Sequence, residues 1–273
     1  MARKSRSSMT FTFVFVGILL YSYFAETPLT SKRAVDLGVA QYPLVGETEY
    51  LQKAHRWDLA SARYKLTYRH GEDAVSQRRQ DHSRLGRSFQ YQLVSGDSFS
   101  WRNDPRCQRE WQFGRSETWA CVYTRVLENN RRDLEPIMER VSAGLLNEQM
   151  SAEEASRWLL NFVQTIPYKL PDAFAFGLLP PSLVVSENWG DCDSKSLLLI
   201  VLLRHLGIEA HMMVSQAHKH AMVAIPVARK TRGTFNIDGR RYAWAETTAE
   251  APLGWIDPNM LRPNDWRVVW LKS

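Results

Sequence analysis

One cysteine lies in a setting that suits chemistry. Cys192 follows a glycine, is flanked by Asp191 and Asp193, and precedes the apolar run of residues 197–203. This pattern predicts a helix over residues 192–206 that is buried on nearly all sides. A cysteine at the mouth of such a helix can be packing, a metal ligand, half of a disulfide or a nucleophile. The side chains around it decide between these roles.

A helix start activates a thiol only under certain conditions. The positive end of the helix dipole favours the thiolate, and the free backbone N–H groups there can receive an oxyanion. The charges of Asp191 and Asp193 act in the opposite direction and raise the pKa of the thiol. We therefore expect a basic partner that offsets them and brings the thiol pKa below its free value. Gly190 is expected to permit a tight approach and to leave space for a substrate.

Histidines after the helix are the candidates for this partner. They are His211, His218 and His220. Only His220 begins an alternating strand, and the 28 residues after Cys192 suffice for the helix, one strand and a return on the next. The following strand ends at Glu246, which antiparallel pairing can place beside His220. A carboxylate there would hold the imidazole in the orientation of a general base.

Sequence patterns in the second half of the chain predict the helices and strands that would position these groups. Ser151 and Glu154 form a capping-box pattern, and the helix that they open is expected to stop at Pro167. Helical spacing precedes it at Leu134, Ile137, Val141 and Leu145. Strands are expected over residues 208–215 and 220–227, around an Asp238-Gly239 hairpin turn, and near residues 266–272. Helices followed by an antiparallel sheet indicate the α+β class.

Three segments together resemble one known family. "WGDCDSKSLLLIVLLRHLGI", "HAMVAI" and "WAETT" are similar to the motifs of the transglutaminase-like cysteine peptidase superfamily, and the resemblance covers about residues 150–260. It implies a papain/transglutaminase-like fold in which a buried Cys-bearing helix packs on an antiparallel sheet. It also implies that Cys192 is the nucleophile, His220 the general base and Glu246 the orienting acid.

Two departures from the family pattern affect the third role. The family more often has aspartate there, and "ETT" stands in place of acid-Pro-Thr, so Asp257 is the alternative to Glu246. Gln164 and Trp189 are candidates for a second oxyanion donor beside the N–H of Cys192. No cofactor is implied.

The N-terminus has the composition of an export or anchor segment. Residues 9–25 are apolar and uncharged, follow a basic head and precede a polar stretch. Tyr23 would stand third from last at a cleavage site after Ala25, which favours an uncleaved anchor. We expect a membrane anchor or signal segment over residues 1–27.

The rest of the chain is divided by its composition. We expect a linker over residues 28–41, a region of unassigned role over 42–130 and the catalytic domain over 131–273. Within the second region a helix near 47–65 and strands near 88–94 and 117–127 are predicted.

The net charge and the cysteine content limit the classes of protein to which this chain can belong. The net charge is +6, and the basic head supplies three of these charges, so the remaining chain is too weakly basic to indicate nucleic-acid binding. The chain has 3 cysteines without a CxxC motif or the Cys/His spacing of a zinc module. Outside the cytoplasm, Cys107 and Cys121 are expected to form a disulfide or to remain buried thiols. Pairing them would leave Cys192 as the reactive thiol.

These patterns predict a membrane-anchored thiol enzyme that cleaves amide bonds in a protein or peptide. The expected location is a bacterial inner membrane with the catalytic domain on the periplasmic side. The alternatives are a transamidating acyltransferase and a non-catalytic scaffold with the same fold.

The charge asymmetry around residues 9–25 predicts that the C-terminus lies outside the cytoplasm. An alkaline phosphatase reporter fused after Ser273 should be active in cells, because this enzyme matures only after export. A reporter that is active only in the cytoplasm, such as β-galactosidase, serves as the control. Activity of the second fusion alone would contradict the predicted topology.

Overall fold

The N-terminal half of the structure is built on a small mixed sheet. The computed structural model describes residues 32–43, 49–95, 98–100, 107, 115–230 and 233–272. The strands before residue 101 are β1 (Arg33–Tyr42), β2 (Tyr50–Leu59), β3 (Ala62–Gly71), β4 (Gln92–Ser95) and β5 (Ser98–Ser100). β3 is central: it pairs in parallel with β1 and antiparallel with β2, while β4 and β5 pair with each other.

Five helices lie in the described residues. They are α1 (Glu72–Ser88), α2 (Arg115–Asn147), α3 (Ala152–Gln164), α4 (Pro181–Glu187) and α5 (Cys192–His205). The Ser151–Glu154 capping box is present at the start of α3, as predicted. The four apolar residues predicted to share a helical face in the second half of α2 are all buried. None of the helices in the described residues has the length and apolar character of a membrane span.

A second, antiparallel sheet follows α5. Its strands are β6 (His211–Ser215), β7 (His220–Pro226), β8 (Thr234–Ile237), β9 (Arg240–Ala245) and β10 (Arg267–Val269). They are ordered β10-β6-β7-β9-β8, and each neighbouring pair is antiparallel. The Asp238-Gly239 turn has two positive φ angles, 46° and 81°, as its type requires. Helices followed by this sheet confirm the α+β class.

α5 is buried as its composition predicts. All seven residues from Leu197 to Leu203 are at most 8% exposed, and the helix contacts β6, β7 and the three helices before it in the chain. The face of β7 that shares the core with α5 carries Ala221, Val223 and Ile225. His220, the first residue of β7, lies near enough to the start of α5 for its charge to act on Asp193.

Three predictions about the first half of the chain are wrong, and a fourth is confirmed in part. Residues 33–41 are not a linker but form β1, and the predicted helix at 47–65 is replaced by β2 and β3. The segment 117–127 is helical; most side chains of residues 119–127 are buried, and such a continuous apolar run resembles that of a buried strand. Of the strand predicted near 88–94, only residues 92–94 lie in β4.

The predicted domain boundaries also need revision. The boundary at 130/131 falls inside α2, and one hydrophobic core contains residues from both sides of it. Described residues before and after this boundary therefore pack against each other in the same core. The predicted anchor at 1–27 lies outside the described residues.

Buried histidines connect the first half of the chain to the segment before Cys192. His55 on β2 donates from Nε2 to the carbonyl of Val185 at 3.1 Å, and His82 on α1 donates to the carbonyl of Ala175 at 2.9 Å. Burial lowers the pKa of both imidazoles, that of His55 to about 4. Both histidines are thus neutral hydrogen-bond donors that fix the chain segment before α5.

The depressed pKa of His55 predicts a loss of stability in acid. The unfolded chain binds a proton near pH 6.5 and the folded chain only near pH 4, so stability falls as the pH falls between these values. His55→Leu removes the titrating group, so the stability of this variant lacks the pH dependence that His55 causes. The difference in unfolding free energy between wild type and His55→Leu should shrink by roughly 2–3 kcal/mol from pH 7.5 to pH 4.5. Urea denaturation at both pH values measures it, and an unchanged difference would contradict the assignment.

Candidate active site

The start of α5 presents the thiol at the edge of the core. Asp191 is the N-cap: its Oδ1 accepts from the N–H of Ser194 at 3.1 Å and from the hydroxyl of the same residue. Cys192 is the first helical residue and is 9% exposed. The N–H groups of a first helical turn have no acceptor within the helix, which is the arrangement that can receive an oxyanion.

Three neighbours contact the thiol or its acid. The Sγ of Cys192 lies 3.6 Å from Oδ1 of Asp193, and the backbone N–H of Ala221 lies near enough to the same sulfur to lower its pKa. The hydroxyl of Tyr123, on α2, donates to Oδ2 of Asp193 at 2.6 Å. Since Ala221 directly follows His220, the thiol lies against the first peptide unit of β7.

This environment corrects the expectation of a depressed thiol pKa. Burial raises the pKa of Cys192 far above its ordinary value, the charges of Asp193 and Asp191 raise it further, and only the Ala221 N–H opposes them. The sequence placed the two acids beside the thiol but gave no measure of burial. In the resting arrangement the sulfur is therefore a protonated thiol.

The two acids are themselves difficult to ionise together. Burial and the charge of Asp193 raise the pKa of Asp191 to about 7. Burial also raises the pKa of Asp193, against the opposing effects of the Tyr123 hydrogen bond and of the His220 charge. Near neutral pH the pair thus holds a proton for part of the time, which lessens its opposition to a thiolate.

His220 and Glu246 form the best-defined pair of the site. Nε2 of His220 lies 2.7 Å from Oε2 of Glu246. Because a carboxylate only accepts, Nε2 donates, and Nδ1 is left as the nitrogen that can take a proton. Burial opposes ionisation of Glu246, but the hydrogen bonds from His220 and Thr248 and the charge of His220 lower its pKa overall. The structure brings Glu246 rather than Asp257 to the imidazole.

The loop after β9 holds this carboxylate in place. Oε1 of Glu246 accepts from the N–H of Thr248 at 2.7 Å and from its hydroxyl at 2.5 Å. Sequence reasoning gave Thr248 no role, although a threonine two residues after an acid is a recognisable turn pattern. Tyr123 was also missed, and no motif around it pointed to the site.

The structure gives Gln164 a different role from the predicted oxyanion donor. Its side-chain nitrogen donates to the carbonyls of Glu246 at 2.8 Å and of Ala251 at 2.7 Å. Both N–H groups of the amide are engaged by these carbonyls, so the side chain fixes the loop instead. Trp189 packs against Phe174 and lies under the ammonium of Lys169, 4.8 Å from it, and its oxyanion role stays a prediction.

The remaining candidates are engaged elsewhere. Nε2 of His211 lies 3.2 Å from the hydroxyl of Tyr242, and Nε2 of His218 lies 3.2 Å from a carboxylate oxygen of Asp265. Asp257 caps a 3-10 turn by accepting from the N–H of Asn259. In the described part of the chain no three His, Cys, Asp or Glu residues form a group suited to a metal.

The other two cysteines are bonded to each other. Cys107 and Cys121 form a disulfide with their Cα atoms 5.8 Å apart, and Cys192 is free. Cys121 lies on α2, two residues before Tyr123. Closing a loop of this length stabilises a fold by about 3 kcal/mol, and here it secures the helix that contacts Asp193.

Comparison with known proteins supports the predicted resemblance. Residues 138–259 match the model of the transglutaminase-like superfamily, which confirms the resemblance over this part of the chain. No curated protein and no solved structure matches the chain. The matched region contains Cys192, His220 and Glu246, and Tyr123 lies outside it.

The acids beside the thiol predict the effect of neutralising one of them. Asp193→Asn keeps an acceptor for Tyr123 and removes a charge that raises the thiol pKa. The midpoint of the rate–pH profile for alkylation of Cys192 by iodoacetamide should therefore fall by about one pH unit or more. Asp36→Asn, which removes an exposed acid on β1, is the control. An unmoved midpoint would show that Asp193 does not act on the thiol.

Proposed function

We propose that the transglutaminase-like region is a thiol hydrolase that cleaves amide bonds with Cys192 as nucleophile. The observation that carries the proposal is the hydrogen bond between His220 and Glu246, one peptide unit away from the N–H that contacts the thiol. A base oriented by a buried acid, beside a nucleophile at a helix start, is the arrangement that nucleophilic catalysis needs.

The first half of the reaction forms a thioester. Nδ1 of His220 takes the proton of Cys192, and the sulfur attacks the carbonyl carbon of the amide. The negative charge that develops on the carbonyl oxygen is stabilised by the N–H of Cys192 at the start of α5. The imidazolium then donates its proton to the leaving nitrogen, the C–N bond breaks and the amine departs.

The second half returns the enzyme to its starting state. Water attacks the thioester carbonyl as His220 takes one of its protons, and the C–S bond breaks. The proton returns to the sulfur, and the product is a carboxylic acid. Glu246 keeps the imidazole oriented and balances its positive charge in both halves. An amine in place of water would give transamidation through the same thioester.

The acid pair gives the proposed reaction a specific electrostatic requirement. The thiolate must form beside Asp191 and Asp193, whose charges oppose it. The imidazolium of His220 compensates for that opposition, and partial protonation of the pair reduces it. The nucleophile is therefore proposed to be active only when His220 has accepted its proton, and not as a free thiolate at rest.

We also propose that the enzyme is anchored in a membrane with this region on the non-cytoplasmic side. Residues 9–25 have the composition of an anchor. The disulfide between Cys107 and Cys121 supports an oxidising compartment, because cytosolic thiols are kept reduced. A protein or peptide in that compartment is the proposed substrate.

Replacing His220 tests the proposed function most simply. His220→Ala should lower the rate at which iodoacetamide alkylates Cys192 at pH 7 by about 10-fold or more, because it removes the proposed acceptor of the thiol proton. Glu246→Gln should lower it by a smaller factor. Peptide mapping by mass spectrometry measures the labelled fraction over time.

Matched variants supply the control. His211→Ala and His218→Ala remove histidines that are bonded to Tyr242 and Asp265, and they should leave the rate unchanged. If all three histidine variants react at the wild-type rate, Cys192 is a packing residue. The region would then be a non-catalytic scaffold.

A further inference from the structure

A buried lysine without a role in the proposed reaction lies one helical turn after Cys192. Lys195 is one turn after Cys192 on α5 and is 0% exposed. A fully buried ammonium is costly unless its donors are satisfied and a negative charge lies near. Burial lowers the pKa of Lys195 to about 8, and the charge of Glu246 acts against this shift.

The ammonium is hydrogen-bonded to main-chain carbonyls at the C-terminal end of α3. Nζ of Lys195 donates to the carbonyl of Ile166 at 2.6 Å and to the carbonyl of Gln164 at 3.4 Å. α3 ends at Gln164, so the carbonyl of Gln164 has no partner within the helix, and Ile166 lies two residues beyond this end. A cation at this position also interacts favourably with the negative end of the helix dipole.

The same glutamine continues the connection toward the active site. The main chain of Gln164 accepts from Lys195, while its side chain donates to the carbonyls of Glu246 and Ala251. The side chain of Glu246 in turn accepts from His220. A continuous path of hydrogen bonds and short covalent segments therefore runs from the Cys-bearing helix to the imidazole.

The local sequence makes room for this lysine. A Cβ added to Gly190 would lie 3.3 Å from Cγ of Lys195, and equally close to Ser194 and Val184. Such contacts are tighter than ordinary packing. The space that Gly190 leaves is thus taken by the lysine and its neighbours, and not by a substrate as the sequence led us to expect.

We propose that Lys195 is a positioning residue for the catalytic pair: it anchors the end of α3 so that Gln164 holds Glu246 against His220. Its charge also favours the ionised form of Glu246, since the attraction between the two groups is mutual. This role rests on the proposed function, because it acts only through the imidazole.

A double-mutant cycle tests the role. Lys195→Met removes the charge and the donors but keeps a long, unbranched side chain. Alone it should lower the alkylation rate of Cys192 at pH 7 by roughly 5- to 10-fold and move the midpoint of the rate–pH profile upward, as Glu246→Gln does. The Lys195→Met/Glu246→Gln double variant should be no slower than the slower single variant.

The control removes a buried hydrogen-bond donor that is not part of the path from Lys195 to Glu246. Tyr68→Phe deletes a buried hydroxyl that donates to the carbonyl of Asp133 at 3.1 Å, and it should leave the alkylation profile unchanged even if it lowers the melting temperature. Gln164→Leu breaks the path at its next step and keeps the charge of Lys195. It should shift the profile in the same direction as Lys195→Met, and it replaces that variant in the cycle if Lys195→Met does not fold.

The outcomes separate this inference from the function on which it rests. Rates that depend on His220 but not on Lys195 or Gln164 would overturn the positioning role alone. Rates in the double variant that fall by the product of the single effects would also overturn it, because Lys195 would then act independently of Glu246. Rates that do not depend on His220 would overturn the proposed function and this inference together.

Discussion

The hydrogen bond between His220 and Glu246 requires a buried carboxylate to stay ionised. Glu246 is only 5% exposed, and burial alone would favour its neutral form. The fold compensates with donors: the imidazole on one oxygen and the N–H and hydroxyl of Thr248 on the other. Gln164 holds the main chain of the loop, and the buried charge of Lys195 lies nearby. The second sheet, the end of α3 and the first turn of α5 all contribute to this one hydrogen bond.

The surroundings of the Cys192 thiol favour its neutral form, whereas those of Glu246 favour the ionised form. It lies at the positive end of α5 and against the N–H of Ala221, but burial and two flanking acids keep it protonated. The dipole of a helix is worth at most about 2 kcal/mol near its end, which is less than burial of a charge next to carboxylates costs. The proposed chemistry therefore depends on the transfer of a proton to His220 and not on a thiol that is already ionised.

The sequence predicted the second half of the chain well because its signals are local. The capping box, the apolar run of α5, the Asp238-Gly239 turn and the alternation of β7 each depend on residues close together in the chain. The first half failed because its elements owe their form to distant contacts. β1 was predicted as a linker because its parallel partner β3 is distant in the sequence, and the first part of α2 was predicted as a strand because its apolar residues contact distant segments.

The same distinction applies to the site. Cys192, His220 and Glu246 lie at the ends of elements that the local sequence predicts, whereas Tyr123, Thr248 and Lys195 act through contacts that spacing does not reveal. Residue types alone also could not weigh burial against charge, which is why the expected thiol pKa had the wrong direction. The direction of the shift in the thiol pKa depends on how deeply the thiol is buried, and burial depends on the whole fold.

The formation of a thioester on Cys192 tests the central claim most directly. The disulfide-bonded protein is mixed with p-nitrophenyl acetate at pH 7 and quenched in acid, and the acetylated residue is mapped by mass spectrometry. We expect acetyl-Cys192 in the wild type, its loss over time by hydrolysis, and at least about 10-fold less of it in His220→Ala. Equal acetylation of Cys192 in wild type and His220→Ala, or none in either, would contradict the assignment of Cys192 as a nucleophile activated by His220.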